Sequence, residues 1–303
     1  MNVYHSFWCK DVTTDGSSIK VMTAFKSLLR TTRNVRFILW TLPSCLAYLN
    51  KTYGQELRSF CPKSSRSYVE IRTTQDLIDK THHSKNEALE QCIPSFTNMD
   101  PEALQGNKMP GVSDLIRFVA LYYYGGIYFD ADTLILRDMN ELQNQNFAFK
   151  WEGTSRDFNT CVMGLKKGNP LPIKMIQHYK KCTPEIFHPE RVLEVLDCPN
   201  KVCSEFIMYP TYLFDPMHVD RTNATNLPWQ FLVPGYAETG DVYSWLFTRE
   251  RTSGVGTFFP GAFTYHWHNN WGTPIHEKSF FAELQKINSH CLASSYAHSS
   301  DIN

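Results

Sequence analysis

Two aspartates two residues apart, Asp130 and Asp132, are the pair in this sequence best suited to chemistry. They follow the apolar run Ile127-Tyr-Phe, which predicts a β-strand, so both side chains point to one side at its carboxyl end. Neighbouring carboxylates repel each other unless a cation lies between them or one is protonated. Mn²⁺ or Mg²⁺ fits such oxygen ligands and keeps coordination positions for diphosphate oxygens. The pair predicts a divalent-metal site, although a bare Asp-x-Asp is more often a surface turn.

A predicted helix precedes the aspartates. Ser113 as N-cap and Gly125 as C-cap indicate a buried helix over residues 114–124. Asp114 and Arg117 are three residues apart and share one face at its amino end. A buried carboxylate and guanidinium need partners, which sugar hydroxyls can supply, although an ordinary ion pair is the simpler alternative. Because helix, glycine pair and aspartates form one continuous run, we favour a binding site.

The elements that must position these residues alternate along the first third of the chain. Strands are predicted at residues 2–8, 35–41 and 68–72, with a helix at 19–31 and a helical segment around Tyr48. This order favours a mostly parallel sheet, in which a nucleotide binds beyond the carboxyl ends of the strands. Further helices are predicted at residues 171–181 and 190–196. Residues 211–261 are rich in proline and glycine and are expected to form loops on the acceptor side of the site.

Composition limits the classes of function. Lys+Arg and Asp+Glu both number 30 among 303 residues, so no global field selects nucleic acid as a partner. No apolar stretch approaches the roughly 20 residues needed to span a bilayer, and the first ten residues lack a signal-peptide pattern. We therefore expect no membrane span and favour a cytoplasmic protein, or the Golgi lumen if the chain is a fragment of an anchored enzyme. Residues 1–290 are predicted to form a single domain and 291–303 a flexible tail.

The cysteines and sequons leave the compartment open. Nine cysteines are scattered without a C-x-x-C pair, and their odd number favours reduced thiols. Two sequons, Asn50-Lys-Thr and Asn223-Ala-Thr, allow a secretory protein but also arise by chance.

The run around the aspartates resembles a known family. Ser113-Asp-Leu-Ile-Arg-Phe, followed by Tyr124-Gly-Gly-Ile-Tyr-Phe-Asp-Ala-Asp132, is similar to the signature of the DXD glycosyltransferases. Their relatives include initiating mannosyltransferases, α-1,4-galactosyltransferases and, more distantly, glucosylating bacterial toxins. The resemblance implies an α/β fold of GT-A type, with a Rossmann-like nucleotide-binding half, a mixed central sheet and helices on both faces.

The same resemblance implies an activity. It is metal-dependent transfer of a sugar, with Mn²⁺ or Mg²⁺, from a nucleotide-sugar donor to a hydroxyl of a glycan, lipid or protein acceptor. The family implies retention of anomeric configuration and favours a hexose, and it weakly favours a UDP-sugar over a GDP-sugar. Two alternatives stay open: an inactive nucleotide-sugar or carbohydrate-binding protein of this fold, and a phosphatase of the haloacid dehalogenase type. The phosphatase motif requires Thr or Val four residues after its first Asp, where this chain has Leu134.

The resemblance also assigns residues around the donor. Catalytic roles fall on Asp130, Asp132, Asp114, Arg117 and Asn159, with Asp132 the direct metal ligand and Asp130 contacting the ribose or reaching the metal through water. Donor-binding roles fall on residues of the first strand and around the aspartates: Tyr4, Phe7, Trp8, Ser113, Tyr128 and Ala131. Trp8 is expected to stack on the base. Asn159 heads a strand expected to form the floor beneath the sugar, and a simple turn role is its alternative.

The carboxyl-terminal segment Tyr265-His-Trp-His-Asn-Asn-Trp-Gly272 resembles the family's closing His-His-Trp-x-x-Ser-Trp block. His266 aligns with the second His, whereas Tyr265 replaces the first. The third metal ligand is therefore left open among His266, His268 and Asn270, and Trp271 joins the donor-binding residues. A packed core position is the alternative for His266.

Overall fold

The computed structural model describes residues 1–9, 16–60, 66–99, 109–151, 158–196, 206–218, 244–248, 259 and 261–289. The expected tail at 291–303, most of the loop-rich stretch 211–261 and the second sequon lie outside the described residues. The division into one domain and a tail therefore stays a prediction.

Nine strands are described, in chain order: β1 Asn2–Phe7, β2 Val35–Thr41, β3 Tyr68–Thr73, β4 Gly126–Phe129, β5 Thr133–Ile135, β6 Phe147–Lys150, β7 Phe158–Leu165, β8 Ile207–Tyr209 and β9 Thr264–His266. Seven form one sheet in the order β3-β2-β1-β4-β7-β6-β8, and β5 pairs with β9 in a second. Strands β1 to β4 are parallel, whereas β7 is antiparallel to both β4 and β6. The predicted α/β fold, with a parallel half and a mixed central sheet, is confirmed.

The helices are α1 Ser17–Thr31, α2 Leu46–Leu49, α3 Gln55–Ser59, α4 Thr74–Ser84, α5 Glu87–Glu90, α6 Ile93–Thr97, α7 Met109–Tyr124, α8 Leu171–Tyr179, α9 Pro189–Val195, α10 Trp245–Thr248 and α11 Phe280–Ser289. They cover both faces of the sheet. On one face, Phe37 of β2 packs against Phe25 of α1, with ring centroids 5.3 Å apart. On the other, Trp40 of the same strand lies 5.5 Å from Tyr124 at the end of α7. Within the described residues, no helix is long and apolar enough to cross a membrane.

Helix α7 begins at Met109, so the prediction of Ser113 as its N-cap is wrong. The helix extends further because a proline at position 110 is tolerated in a first turn, where its missing amide has no helical partner to lose. The predicted C-cap is confirmed: Gly125 has φ +65° and its amide donates to the carbonyl of Leu121 at 2.8 Å. The strand β4 then starts directly from the glycine pair.

Gly126 places β4 beside β1. Its φ is +101°, and a Cβ at this position would lie 2.3 Å from the carbonyl oxygen of Val3. His5 stabilises the same turn from β1, because its Nε2 lies 2.9 Å from the carbonyl oxygen of Gly125 and its Nδ1 accepts from Trp40 Nε1 at 3.1 Å. The strand that carries the two aspartates is therefore fixed against the centre of the sheet.

Two disulfides join described cysteines, Cys9 to Cys45 and Cys92 to Cys182. The prediction of reduced thiols is wrong for these four residues. Cys9 and Cys45 follow the neighbouring parallel strands β1 and β2, whose ends meet at one edge of the sheet. Sequence spacing could not reveal this proximity. Among the described cysteines, Cys161 alone is not disulfide-bonded.

Candidate functional site

The two aspartates lie in a tight turn between β4 and β5. The amide of Asp130 donates to the carbonyl of Cys161 on β7 at 2.7 Å, and the amide of Thr133 donates back to the carbonyl of Asp130 at 3.0 Å. Strand β5 leads away from the turn and pairs with β9, with Thr133 opposite His266. The turn therefore holds both carboxylates at the carboxyl end of the parallel strands and brings a histidine from far along the chain beside them.

Helix α7 supplies a buried cation to this end of the sheet. Arg117, only 3% exposed, contacts Asp114 Oδ1 through Nη1 at 2.7 Å and Asp130 Oδ1 through Nη2 at 2.7 Å. It also donates to the hydroxyl of Thr160 on β7. Although burial alone would lower the pKa of Arg117, Asp130 and Asp114 raise it above its ordinary value. The guanidinium is thus permanently charged and fixes the positions of two carboxylates.

Ser113 and Tyr128 complete the surroundings of Asp130. The hydroxyls of Ser113 and Tyr128 are 2.7 Å apart, and Ser113 donates to Asp130 Oδ1 at 3.3 Å. The guanidinium of Arg117 lies 4.7 Å from the centre of the Tyr128 ring. Burial raises the pKa of Asp130, against the opposing effect of Arg117. The sequence therefore predicted correctly that these residues lie together, although it gave no indication of Thr160.

His266 faces Asp132. Its Nε2 lies 3.2 Å from Asp132 Oδ2, which also accepts the amide of Asn269 at 2.7 Å. Burial would raise the pKa of Asp132, but His266 outweighs it and the pKa is lowered. Burial would lower the pKa of His266, but Asp132 raises it well above 6.5. Asp132 and His266 therefore stabilise each other's charged form.

Asp130, Asp132 and His266 offer ligand atoms that all lie within 4.8 Å of one another. Two carboxylates and an imidazole are a donor set suited to a divalent transition metal such as Mn²⁺. His268, predicted as another ligand, belongs instead to a neighbouring group with Asp215 and His266. The side chain of Asn270 accepts from the hydroxyl of Thr273 at 3.0 Å. Of the three residues left open by the sequence, His266 lies in one group with both aspartates, and its role as a metal ligand stays a prediction.

Asp215 was not predicted from the sequence. It is fully buried, its Oδ2 lies 2.6 Å from His268 Nε2 and 3.8 Å from His266 Nδ1. Burial would raise the pKa of Asp215, but the two histidines lower it well below its usual range. Asp215 thus stands behind His266, on the side away from Asp132. An aspartate between a phenylalanine and a proline in a loop-rich stretch gave no pattern from which to infer this contact.

The predicted nucleotide-binding aromatics come from the two ends of the chain. Trp8, which follows β1, and Trp271 lie with ring centroids 5.0 Å apart and planes inclined at 47°. Phe7 is buried on the same strand, and Tyr4 is buried with its hydroxyl donating to Asn140 at 3.2 Å. The structure therefore brings Trp8 and Trp271 together, whereas Tyr4 points to Asn140 in the turn before β6. Their roles in binding stay predictions.

Asn159 and Ala131 are both buried at the same edge. The side-chain oxygen of Asn159 accepts the amide of Cys161 on its own strand at 2.8 Å. Cys161 is buried, and burial raises the pKa of its thiol to about 11, so the thiol is protonated at neutral pH. Asn159 thus shapes the start of β7 beside the carboxylates, and its predicted contact with a sugar stays a prediction.

Residues 18–148 match the family described as the glycosyltransferase sugar-binding region containing the DXD motif. The match runs from α1 to β6 and contains the ion-paired residues of α7 and both aspartates. The resemblance drawn from the sequence is confirmed over these residues. The histidines of the carboxyl-terminal segment lie beyond the matched region.

One relative, the uncharacterized protein At4g19900 of Arabidopsis thaliana, is 31% identical over 67 residues, which cover 22% of this chain and 10% of that protein. Similar solved structures include the PaToxG glycosyltransferase, at 17% identity over 65% of this chain and 71% of that one, with a TM-score of 0.43. The structure of the galactosyltransferase LgtC with donor and acceptor sugar analogues is 13% identical over 95% of this chain and 96% of that one, with a TM-score of 0.43. Mouse xyloside xylosyltransferase 1 is 13% identical over 91% of this chain and 99% of that one, with a TM-score of 0.42.

Proposed function

We propose that this protein, whose residues 18–148 match a glycosyltransferase sugar-binding region, transfers a sugar from a nucleoside-diphosphate donor to an acceptor hydroxyl. The observation that carries the proposal is the convergence of Asp130, Asp132 and His266 within 4.8 Å, beside an arginine that fixes one of the carboxylates. The alternative, a nucleotide-sugar-binding protein without turnover, could use the same donor set, and donor hydrolysis separates the two.

Asp130, Asp132 and His266 would hold Mn²⁺ or Mg²⁺. The fit follows from their chemistry, because hard carboxylate oxygens and a neutral imidazole suit Mn²⁺ well. The positive charge of such an ion fits the site too. Without the ion, the neighbouring Asp132 favours a proton on His266. A divalent ion bound there would stabilise the negative charge that develops on the departing diphosphate.

Asp114 and Arg117 have different proposed roles in orienting the sugar. Arg117 is almost completely buried and already contacts Asp114, Asp130 and Thr160, so we assign it a positioning role. Asp114 is held rigidly at the edge of the site, where its carboxylate can accept hydrogen bonds from sugar hydroxyls. Tyr128 and Asn159 line the same edge. This arrangement would orient the anomeric carbon toward the acceptor.

In the proposed reaction the acceptor oxygen bonds to the anomeric carbon while the bond from that carbon to the diphosphate oxygen breaks. The acceptor proton passes to the leaving phosphate. We propose retention of configuration, with attack from the face that the diphosphate leaves. The donor base would stack on the ring of Trp8, beside which the ring of Trp271 packs with its centroid 5.0 Å away. A UDP-hexose is the proposed donor.

The two disulfides bear on the compartment. Disulfides persist in oxidising environments such as the lumen of the secretory pathway and are rare in the cytosol. Cys92 and Cys182 are joined across 90 residues, and the bond connects α6 to the segment after α8. We therefore propose an oxidising lumen for the enzyme in place of the cytoplasm that the sequence favoured.

A donor screen tests the function. Ligand binding raises thermal stability by mass action, so UDP-sugars and GDP-sugars are compared with and without Mn²⁺. The stabilising donor is then incubated with wild type, with Asp132→Asn and with Asp79→Asn, a control that changes an exposed carboxylate on α4. We expect metal-dependent donor hydrolysis in wild type and control and its loss in Asp132→Asn.

The outcomes separate the alternatives. Stabilisation by a donor without hydrolysis or transfer would identify an inactive binding protein. Hydrolysis that survives in Asp132→Asn would overturn the metal assignment. Once an acceptor is found, the anomeric configuration of the product by NMR decides the stereochemistry, and an inverted product would overturn retention.

A further inference from the structure

Lys20, on the first turn of α1, is a buried cation that the proposed reaction does not use. Its side chain is fully buried, and its ammonium donates to three backbone carbonyls of the carboxyl-terminal segment: Asn270 at 2.6 Å, Trp271 at 2.9 Å and Thr273 at 2.7 Å. A lysine ammonium has three N–H donors. All three are therefore matched by acceptors from one short segment, 250 residues away along the chain.

The ammonium has a further contact, with an aromatic ring. It lies 3.8 Å from the centre of the Phe247 ring in α10, a distance at which a cation is attracted to the aromatic face. Burial lowers the pKa of Lys20 to about 8, so the group stays mostly charged at neutral pH. The three carbonyls oppose this effect because they stabilise the charged form. A buried charge with four partners fixes the segment that surrounds it.

The turn at residues 268–273 is held by contacts on both of its sides. His268 and Asn269 have φ of 47° and 59°, in the left-handed region, which asparagine and histidine adopt more readily than other residues with a side chain. The amide of Asn269 donates to Asp132 Oδ2 at 2.7 Å, and the amide of Trp271 donates to the carbonyl of Asn269 at 2.6 Å. The turn is thus held by Asp132 at one end and by Lys20 at the other.

Trp271 lies between these two attachments. Its indole Nε1 donates to Asn269 Oδ1 at 3.1 Å, and its ring meets Trp8 at 5.0 Å and Trp267 at 5.7 Å. Loss of the Lys20 contacts would leave three carbonyls without their donor and release Trp271 from one side. The ring would then no longer keep a fixed distance from Trp8.

We propose that Lys20 is a positioning residue of the donor site, which holds Trp271 against Trp8 and so forms the wall on which the nucleotide base stacks. The inference rests on the proposed function, since the wall is useful only to a protein that binds a nucleotide. Lys20 lies within the matched glycosyltransferase region, whereas the segment that it holds lies beyond it. The residue therefore joins the nucleotide-binding half to the carboxyl-terminal part of the site.

The test compares Lys20→Met with Lys26→Met. Lys26 lies on the same helix but pairs with the exposed Glu56, so the control makes the same chemical change away from the segment. Binding of UDP with MnCl₂ is measured by calorimetry, with GDP used if wild type binds only that. We expect the Kd of Lys20→Met to rise by about 10-fold or more, because buried carbonyls lose their donor, and that of Lys26→Met to stay within about 2-fold.

Two readouts distinguish positioning from general stabilisation. With the donor as substrate, Lys20→Met should raise KM more than it lowers kcat, whereas a merely structural role would lower the number of active sites and leave the Kd of the folded fraction unchanged. Hydrogen exchange should also accelerate at the amides of Asn269 and Trp271 in Lys20→Met. A Kd and exchange rates equal to those of wild type would overturn the proposal.

If Lys20→Met does not fold, hydrogen exchange measured in the wild type tests the proposal instead. The amides of Asn269 and Trp271 should then exchange about 100-fold more slowly than an unstructured peptide, although they lie in a loop. Exchange at the unstructured rate would overturn the role of Lys20. Failure of wild type to bind any nucleotide would instead overturn the proposed function, so the two failures are distinguishable.

Discussion

Arg117 Nη2 and Asp130 Oδ1 meet at 2.7 Å, which joins the buried helix α7 to the turn at the end of β4. The same guanidinium contacts Asp114 one turn earlier on its own helix. One cation therefore sets the distance between the carboxylate assigned to the sugar and a carboxylate assigned to the metal. A change in the tilt of α7 would alter both positions together.

Removal of this cation should destabilise the protein. In Arg117→Met, Asp114 and Asp130 lose their common partner in a buried setting, which costs about 3–5 kcal/mol when one member of a buried pair is removed. Urea denaturation measures the loss. The matched control is Arg191→Met, whose surface pair with Glu194 should contribute little. Equal unfolding midpoints for the two variants would contradict the structural role of Arg117.

Gly126 should be irreplaceable for steric reasons. A Cβ would lie 2.3 Å from the carbonyl oxygen of Val3, so Gly126→Ala must separate β4 from β1. Gly168 has a similarly positive φ of +75° but nothing within 4 Å of its Cβ position. Gly168→Ala therefore measures the backbone strain alone, about 1 kcal/mol.

We expect Gly126→Ala to lose at least about 2 kcal/mol more than Gly168→Ala in the free energy of unfolding, in line with overpacked cores. Thermal and urea unfolding of the two variants give the comparison. A loss no larger than that of Gly168→Ala would show that β4 can move away from β1 without cost.

Sequence reasoning identified the parts of the fold that local patterns determine. The strand at residues 35–41 was predicted at its observed bounds, and the helix α1 within two residues at its amino end. Helical periodicity was sufficient for α1, and a continuous apolar run was sufficient for β2, because a parallel strand is buried on both sides. The start of α7 was placed incorrectly because a serine resembles an N-cap wherever it precedes an apolar helix.

The site was predictable where its residues lie close in sequence and not where distant segments meet. Asp114, Arg117, Asp130 and Asp132 stand within one run, and their spacing indicated a common site. Asp215 and Lys20 act through contacts with the carboxyl-terminal turn, which only the pairing of β5 with β9 brings to the sheet edge. A lysine in the first turn of a helix is ordinarily exposed, so the sequence did not indicate that the ammonium of Lys20 has buried partners.

His5 should make stability depend on pH. Burial lowers its pKa to about 4, against about 6.5 for an unfolded chain. Between these pH values the unfolded chain binds a proton that the folded protein excludes. The contribution of His5 to stability is therefore fully present above about pH 6.5 and is lost as the pH decreases toward 4. The contribution amounts to about 3 kcal/mol, from about 1.36 kcal/mol per pH unit.

Urea denaturation of wild type and His5→Asn at pH 7 and pH 4.5 isolates this contribution. The variant should be less stable at pH 7, since Gly125 and Trp40 lose their partner, but the difference should shrink by about 2–3 kcal/mol at pH 4.5. An NMR titration of wild type should show no protonation of the His5 ring above about pH 5. A pH-independent difference between the two proteins would refute the assignment.

The disulfide between Cys92 and Cys182 should contribute to stability because it closes a long loop. The bond links residues 90 apart and restricts the unfolded chain, an effect of about 2–5 kcal/mol for native disulfides. The double variant Cys92→Ser with Cys182→Ser should therefore unfold at a lower urea concentration, while Cys161→Ser, which changes a buried thiol without a disulfide, should respond through packing alone.

Peptide mapping without reductant should recover the Cys92–Cys182 and Cys9–Cys45 peptides as linked pairs. If both pairs are found as thiols in protein produced in an oxidising lumen, the proposed compartment loses its support, and the double variant should then lose only the packing free energy of two buried thiols.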